Sequence, residues 1–185
     1  MCARLDSYLK LNNILCANQL GFRKISNTSY AIIDYVYSSL DSRQSTIAVY
    51  LDFSKAFNTV NHNTLMSKLL HNGVRGVMQH WFESYLSNRK YVSIKNCSSS
   101  ISNITLGVPQ GWWVLGPVLF LLYINDMHRS SNQMRFVHFA DDTTVFASDS
   151  DINYVHPLWI GSCRGLITSS RPTNFLSTSV KLHIW

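Results

Sequence analysis

Apolar and polar positions change period several times along the chain, and each change predicts an element. Between Thr28 and Leu40 the residues Ile32, Val36 and Leu40 recur at helical spacing, and Thr28 or Ser29 is placed to cap the start. Tyr30, Tyr35 and Tyr37 in that stretch read as packing residues of the helix. Ser45 to Phe53, Ser-Thr-Ile-Ala-Val-Tyr-Leu-Asp-Phe, is a run of β-formers that predicts a buried strand with Asp52 near its C-terminal end. Helical spacing returns over Asn63–Leu70 and Met78–Leu86, and Gly73 and Gly76 interrupt the chain between them.

The second half predicts shorter pieces. Tyr91–Lys95 alternates and Ser100–Leu106 follows a serine-rich turn, which together predict a β-hairpin. Leu106-Gly-Val-Pro-Gln-Gly111 is a loop by its glycines and proline, and Leu115–Met127 is an apolar helix. Phe136–Ala140 and Thr143–Ala147 predict two short strands joined by Asp141-Asp142. Beyond about residue 151, glycines, prolines and scattered Ser/Thr break every period, so 151–185 predicts an irregular tail after a domain at 1–150.

Composition narrows the class. Of 185 residues, 46% are hydrophobic and only 14% charged, which excludes wholesale disorder. Sixteen Lys and Arg against ten Asp and Glu leave a net charge of +6, which favours an anionic partner such as nucleic acid. The four cysteines are scattered without a C-x-x-C pair, so they predict reduced thiols, no zinc site and an intracellular protein, nuclear or cytoplasmic. The seven histidines show no metal-ligand spacing. The start lacks a signal-peptide core, and Val114–Ile124 is too short for a membrane span, so no membrane partner is expected.

The chemistry lies in the carboxylates. Asp141 and Asp142 stand side by side between apolar strands, where two dry, unpaired carboxylates repel each other. A solvent-exposed turn resolves the repulsion, and so does a divalent cation. Asp52 ends another apolar strand. Strand ends can converge at one sheet edge, and carboxylates gathered there suit Mg²⁺, which prefers hard oxygen ligands. Two such ions clamp the attacking and leaving oxygens of a phosphoryl transfer, in a polymerase or a nuclease alike.

Four segments in order, Leu51-Asp-Phe-Ser-Lys-Ala-Phe-Asn-Thr-Val-Asn-His62, Gly107-Val-Pro-Gln-Gly111, Val114-Leu-Gly-Pro-Val-Leu-Phe-Leu-Leu-Tyr-Ile-Asn-Asp126 and Phe139-Ala-Asp-Asp142, resemble the reverse transcriptases of non-LTR retrotransposons of the jockey-like type. Gln19-Leu-Gly-Phe-Arg23 resembles that family's fingers segment. The resemblance covers roughly residues 1 to 156 and implies an α+β right-hand polymerase: an antiparallel palm sheet backed by helices, with partial fingers and the thumb and endonuclease segments missing. It implies an RNA-directed DNA polymerase that joins a dNTP to a DNA primer 3′-hydroxyl on an RNA template, using two Mg²⁺ ions, with Mn²⁺ as a substitute. Asp52, Asp141 and Asp142 match the metal-binding aspartates, and the Phe53 carbonyl is a further ligand. Phe57 matches an aromatic residue that excludes a ribose 2′-hydroxyl, Gln110 a glutamine near the incoming nucleotide, and Arg23 a phosphate contact in the fingers.

The chain also departs from the family. Asn58 stands where aspartate is usual. Gly111-Trp112-Trp113-Val114 puts two tryptophans where the family has one serine. One extra residue turns a following helix by roughly 100° unless the loop absorbs it. The alternative to an active polymerase is therefore an inactive retrotransposon remnant that binds nucleic acid weakly. The tail is expected to have left the ancestral reading frame soon after His156, costing the palm its last strand.

Overall fold

The computed structural model describes residues 2–21, 28–53, 56–87, 89–90, 93–95, 97–100, 102–108, 115–151, 153 and 178–184, with the backbone alone for 2, 89–90 and 178–184. Helices α1 (Cys2–Leu11) and α2 (Thr28–Asp41) precede strand β1 (Ser45–Phe53). A 3₁₀ turn at Ala56–Asn58 leads to α3 (His62–His71) and α4 (Val77–Leu86). The short strands β2 (Arg89–Lys90), β3 (Ser93–Ile94), β4 (Cys97–Ser98) and β5 (Ser102–Asn103) come next. Helix α5 (Leu115–Ile124), a 3₁₀ turn at Met127–Ser130, and strands β6 (Arg135–Phe139), β7 (Asp142–Asp149) and β8 (Thr178–Ile184) complete the order.

Four strands form an antiparallel sheet in the order β6-β7-β1-β8. Alternation along β1 divides its two faces. Ile47 and Val49 pack with Phe136, Val145 and Ala147, and Leu51 links them to the larger cluster built on α3, α4 and α5. Ala48 packs on the opposite face with Val137 and Phe146, beneath Ile32, Tyr35 and Val36 of α2. Helix α5 is apolar on every side and buried at every position but the half-buried Pro117, as a helix at the centre of a core must be. Its Pro117 sits in the first turn, where a missing N–H costs little.

The α+β palm arrangement agrees with the expectation, and several details correct it. Helix α1 had no predicted counterpart, although Leu5 and Leu9 at i, i+4 are both buried and Tyr8 donates to the Asn72 carbonyl at 2.9 Å. In α2, Tyr35 packs on Phe146, but Tyr30, Tyr37 and Leu40 are exposed. A sheet covers only one side of a helix, and those three residues face away from it. The serine-rich stretch is not the turn of the hairpin: Ile94 pairs with Cys97, so the chain reverses between them. The apolar helix stops at Ile124 rather than Met127.

The tail is not irregular throughout. Thr178–Ile184 runs antiparallel to β1 with Leu51 opposite Val180, so β1 is flanked on both sides. A regular strand thus lies within the stretch 151–185 expected to be irregular.

Candidate active site

The sheet brings two of the three aspartates face to face. Asp52 and Asp142 are register partners between β1 and β7, and Phe139 of β6 opposes Asp142 in the same row. Partners in register project to the same face of a sheet. Burial fades along that face toward the row: Ala48 and Phe146 are buried, Tyr50 is half-buried, and Asp52 and Asp142 are exposed. The carboxylates thus stand at the open end of a surface whose other end α2 covers.

Asp141 is presented differently. It lies with Ala140 in the two-residue connection between β6 and β7, and Asp142 already belongs to the strand. Ala140 has φ 57°, a left-handed conformation that costs an alanine about 1 kcal/mol or more. A positive φ at the first loop residue is the pattern of a tight type II′ reversal, which usually calls for glycine there.

Charge is concentrated at this turn. The Asp142 carboxyl is held above its usual range by partial burial, then by Asp141 and by Asp52. Three neighbouring carboxylates in a chain of net charge +6 make a local acidic site on a basic molecule. Behind them His138 is buried, with Nδ1 3.0 Å from the Thr143 hydroxyl. Burial, with His128 nearby, lowers its pKa to about 4, so the ring is neutral at pH 7.

The stretch after β1 is stitched to the loop before α5. Gly107 N–H donates to the Val60 carbonyl at 2.7 Å and Val108 N–H to the Phe57 carbonyl at 2.8 Å. His62 Nε2 lies 2.7 Å from the Gly107 carbonyl. Gly107 has φ 88° and its α-carbon passes close to the Asn58 backbone, where an added Cβ would sit 3.1 Å from the Asn58 carbonyl oxygen. The half-buried Phe57 ring rests on Phe120 with centroids 4.6 Å apart.

Residues 1–160 match the family described as reverse transcriptase (RNA-dependent DNA polymerase). This chain belongs to the reverse transcriptase family. It is 30% identical over 156 residues to the probable RNA-directed DNA polymerase from transposon X-element of Drosophila melanogaster, across 78% of this chain and 17% of that protein. It is 28% identical over 148 residues to the RNA-directed DNA polymerase from mobile element jockey of the same fly, across 72% of this chain and 16% of that protein. The chain thus spans less than a fifth of the length of these relatives. Apo telomerase from Candida tropicalis, truncated from its C-terminal domain, has a similar fold, with TM-score 0.54 and 13% identity over 98% of this chain and 40% of that one.

In this member of the reverse transcriptase family, the expected carboxylates Asp52, Asp141 and Asp142 and the neighbouring Phe53 lie at one end of the sheet, and Phe57 packs on Phe120 from the 3₁₀ turn that follows β1. Arg23, Gln110 and Trp112-Trp113 lie outside the described residues. Among the described residues no three His, Cys, Asp or Glu side chains are gathered as a metal-holding group. The donor chemistry fits a hard divalent cation nonetheless: the facing side chains offer only carboxylate oxygens, and their mutual repulsion is what such a cation relieves. Sequence reasoning assigned nothing to His138 and no role to Gly21 beyond its segment. No spacing signal marks a buried histidine, whereas the Gly21 segment was already conspicuous.

Proposed function

We propose that this chain carries the nucleotidyl-transfer centre of an RNA-directed DNA polymerase. The observation behind the reading is the register pair Asp52–Asp142 beside Asp141, at the open end of the sheet in a member of the reverse transcriptase family. Asp52, Asp141 and Asp142 would hold the divalent ions, Mg²⁺ or Mn²⁺, with the Phe53 carbonyl adjoining them. Bound there, the ions supply charge neutralisation and activation of the primer 3′-hydroxyl for in-line attack on the α-phosphate of a dNTP, with pyrophosphate leaving. The chain's own part is position. Asp52 and Asp142 set the spacing of the site through strand register. Phe57, braced by Phe120, would exclude a ribose 2′-hydroxyl. Arg23 and Gln110 are assigned the phosphate and nucleotide contacts. The excess of basic residues suits an RNA template and DNA primer.

Primer extension on an RNA template with Mg²⁺ tests the reading. The unaltered chain extends the primer and Asp52→Asn does not; equal extension by both overturns the assignment. A second reading rests on Trp112-Trp113, two tryptophans in the sequence where the family has one serine: a folded chain that no longer polymerises. Failure of the unaltered chain to extend, with extension regained when the pair is replaced by one serine, identifies that case.

A further inference from the structure

We infer that Asn18–Gly21 is a clamp on the outer edge of β6 that sets the Asp141–Asp142 turn, with Gly21 as a positioning residue. The inference deepens the proposed function, and its metal-binding test rests on that reading.

β6 is an edge strand, paired on one side with β7. Its other side is occupied by the N-terminal segment. His138 N–H donates to the Asn18 carbonyl at 3.0 Å, and Leu20 N–H donates to the His138 carbonyl at 2.8 Å. Gln19 and His138 thereby form a parallel bridge. Gln19 is buried, and its Oε1 accepts from Gly21 N–H at 3.2 Å, which holds the segment in a tight bend. His138 is therefore held by its backbone on the outer side and by its ring against Thr143 on the inner one.

Gly21 then meets the turn itself. A Cβ at this position would lie 2.2 Å from the Ala140 nitrogen, 2.9 Å from the Phe139 carbonyl carbon and 3.1 Å from the Ala140 α-carbon. These are all backbone atoms, so no rotamer change relieves the clash. The Phe139–Ala140 peptide must move, and Ala140 immediately precedes Asp141. Ala140 already sits at φ 57°, so the turn is held in a costly conformation by its surroundings. A segment that only covered a sheet edge would need its hydrogen bonds with β6; the missing side chain at Gly21 is needed only because the backbones touch beside the aspartates.

The test compares Gly21→Ala with Gly73→Ala, where a positive φ of 85° supplies a backbone strain of its own and the added Cβ would meet only the Tyr8 hydroxyl end. Mg²⁺ affinity is read by titration calorimetry, and amide exchange of Ala140, Asp141 and Asp142 by hydrogen–deuterium exchange. Gly21→Ala is expected to weaken Mg²⁺ binding about tenfold, as loss of a support behind metal ligands does, and to speed exchange at the turn. Gly73→Ala should leave both unchanged at a similar loss of melting temperature. Equal behaviour of the two variants overturns the inference. If Gly21→Ala does not fold, the milder Gln19→Ala, which removes the Oε1 acceptor of Gly21 N–H and leaves its longer bond to the His138 carbonyl at 3.4 Å, replaces it with the same readouts and the same criterion. If Asp52→Asn binds Mg²⁺ as the unaltered chain does, the metal reading fails, and the clamp is then decided by turn exchange alone: faster in Gly21→Ala than in Gly73→Ala supports it, and equal rates overturn it.

Discussion

At the scale of single residues, the aspartates oppose the fold they sit in. The Asp142 carboxyl is raised by partial burial, Asp141 and Asp52, so the folded state binds its proton more tightly than the unfolded chain does. Stability from this group is gained as pH falls through the folded value and is absent above it. Asp52→Asn removes one repelling charge and should raise the metal-free melting temperature at pH 7 by about 2 °C, small because solvent screens exposed carboxylates, while ending primer extension. A calorimetric melt paired with the extension assay checks both. His138 works in the opposite direction. Its pKa is lowered from 6.5 to about 4, so the unfolded chain takes up a proton first and stability falls as pH drops across that window. The loss by pH 4 is about 3 kcal/mol. Urea unfolding at pH 6.5 and pH 4 should show a loss smaller by that amount in His138→Gln. Phe57 has two tasks, packing on Phe120 and the proposed exclusion of a 2′-hydroxyl. Phe57→Val should therefore lower the melting temperature and raise rNTP use relative to dNTP in extension; unchanged sugar discrimination would leave only the packing task.

At the scale of elements, what the sequence revealed followed from periodicity. The strand at Ser45–Phe53 was legible to the residue because its β-formers run unbroken between polar ends. The helices around Gly73 and Gly76 were legible because those glycines adopt positive φ, which few other residues tolerate. Helix α1 escaped because Leu5, Tyr8 and Leu9 give barely two turns of signal. The strand β8 escaped because Val180-Lys-Leu-His-Ile184 alternates for only five residues, after a long stretch without period. The facing of Asp52 with Asp142, rather than with Asp141, was not legible. A shift of one residue in register exchanges which aspartate shares a face with Asp52, and adjacent Asp residues carry no mark that distinguishes them. The apolar run at Leu115–Ile124 predicts its own sensitivity: Leu119 is fully buried, and Leu119→Ala should cost about 3 kcal/mol in a urea titration.

At the scale of the molecule, a chain of net charge +6 carries an acidic point where Asp52, Asp141 and Asp142 meet. Binding of an RNA–DNA hybrid should be carried by phosphate contacts rather than by the carboxylates, and so should weaken steeply with salt. If about three phosphates are neutralised, affinity falls roughly 40-fold between 50 and 200 mM salt, read by fluorescence anisotropy. Asp52→Asn should leave that slope unchanged, since neither binding nor its salt dependence requires the transfer step.

The placement of β1 between β7 and β8 has a consequence for the chain as it leaves the ribosome. The strand that carries Asp52 is made early, but both of its partners are made late. From Phe53 to Asp142 roughly 90 residues must be added, which takes roughly 5–20 s at ordinary elongation rates. Throughout that interval Ile47, Ala48 and Val49 belong to a nascent strand with neither hydrogen-bonding edge filled by its native neighbour. The strand that carries the first aspartate thus waits longer for its sheet neighbours during synthesis than β7, whose partners β1 and β6 precede it.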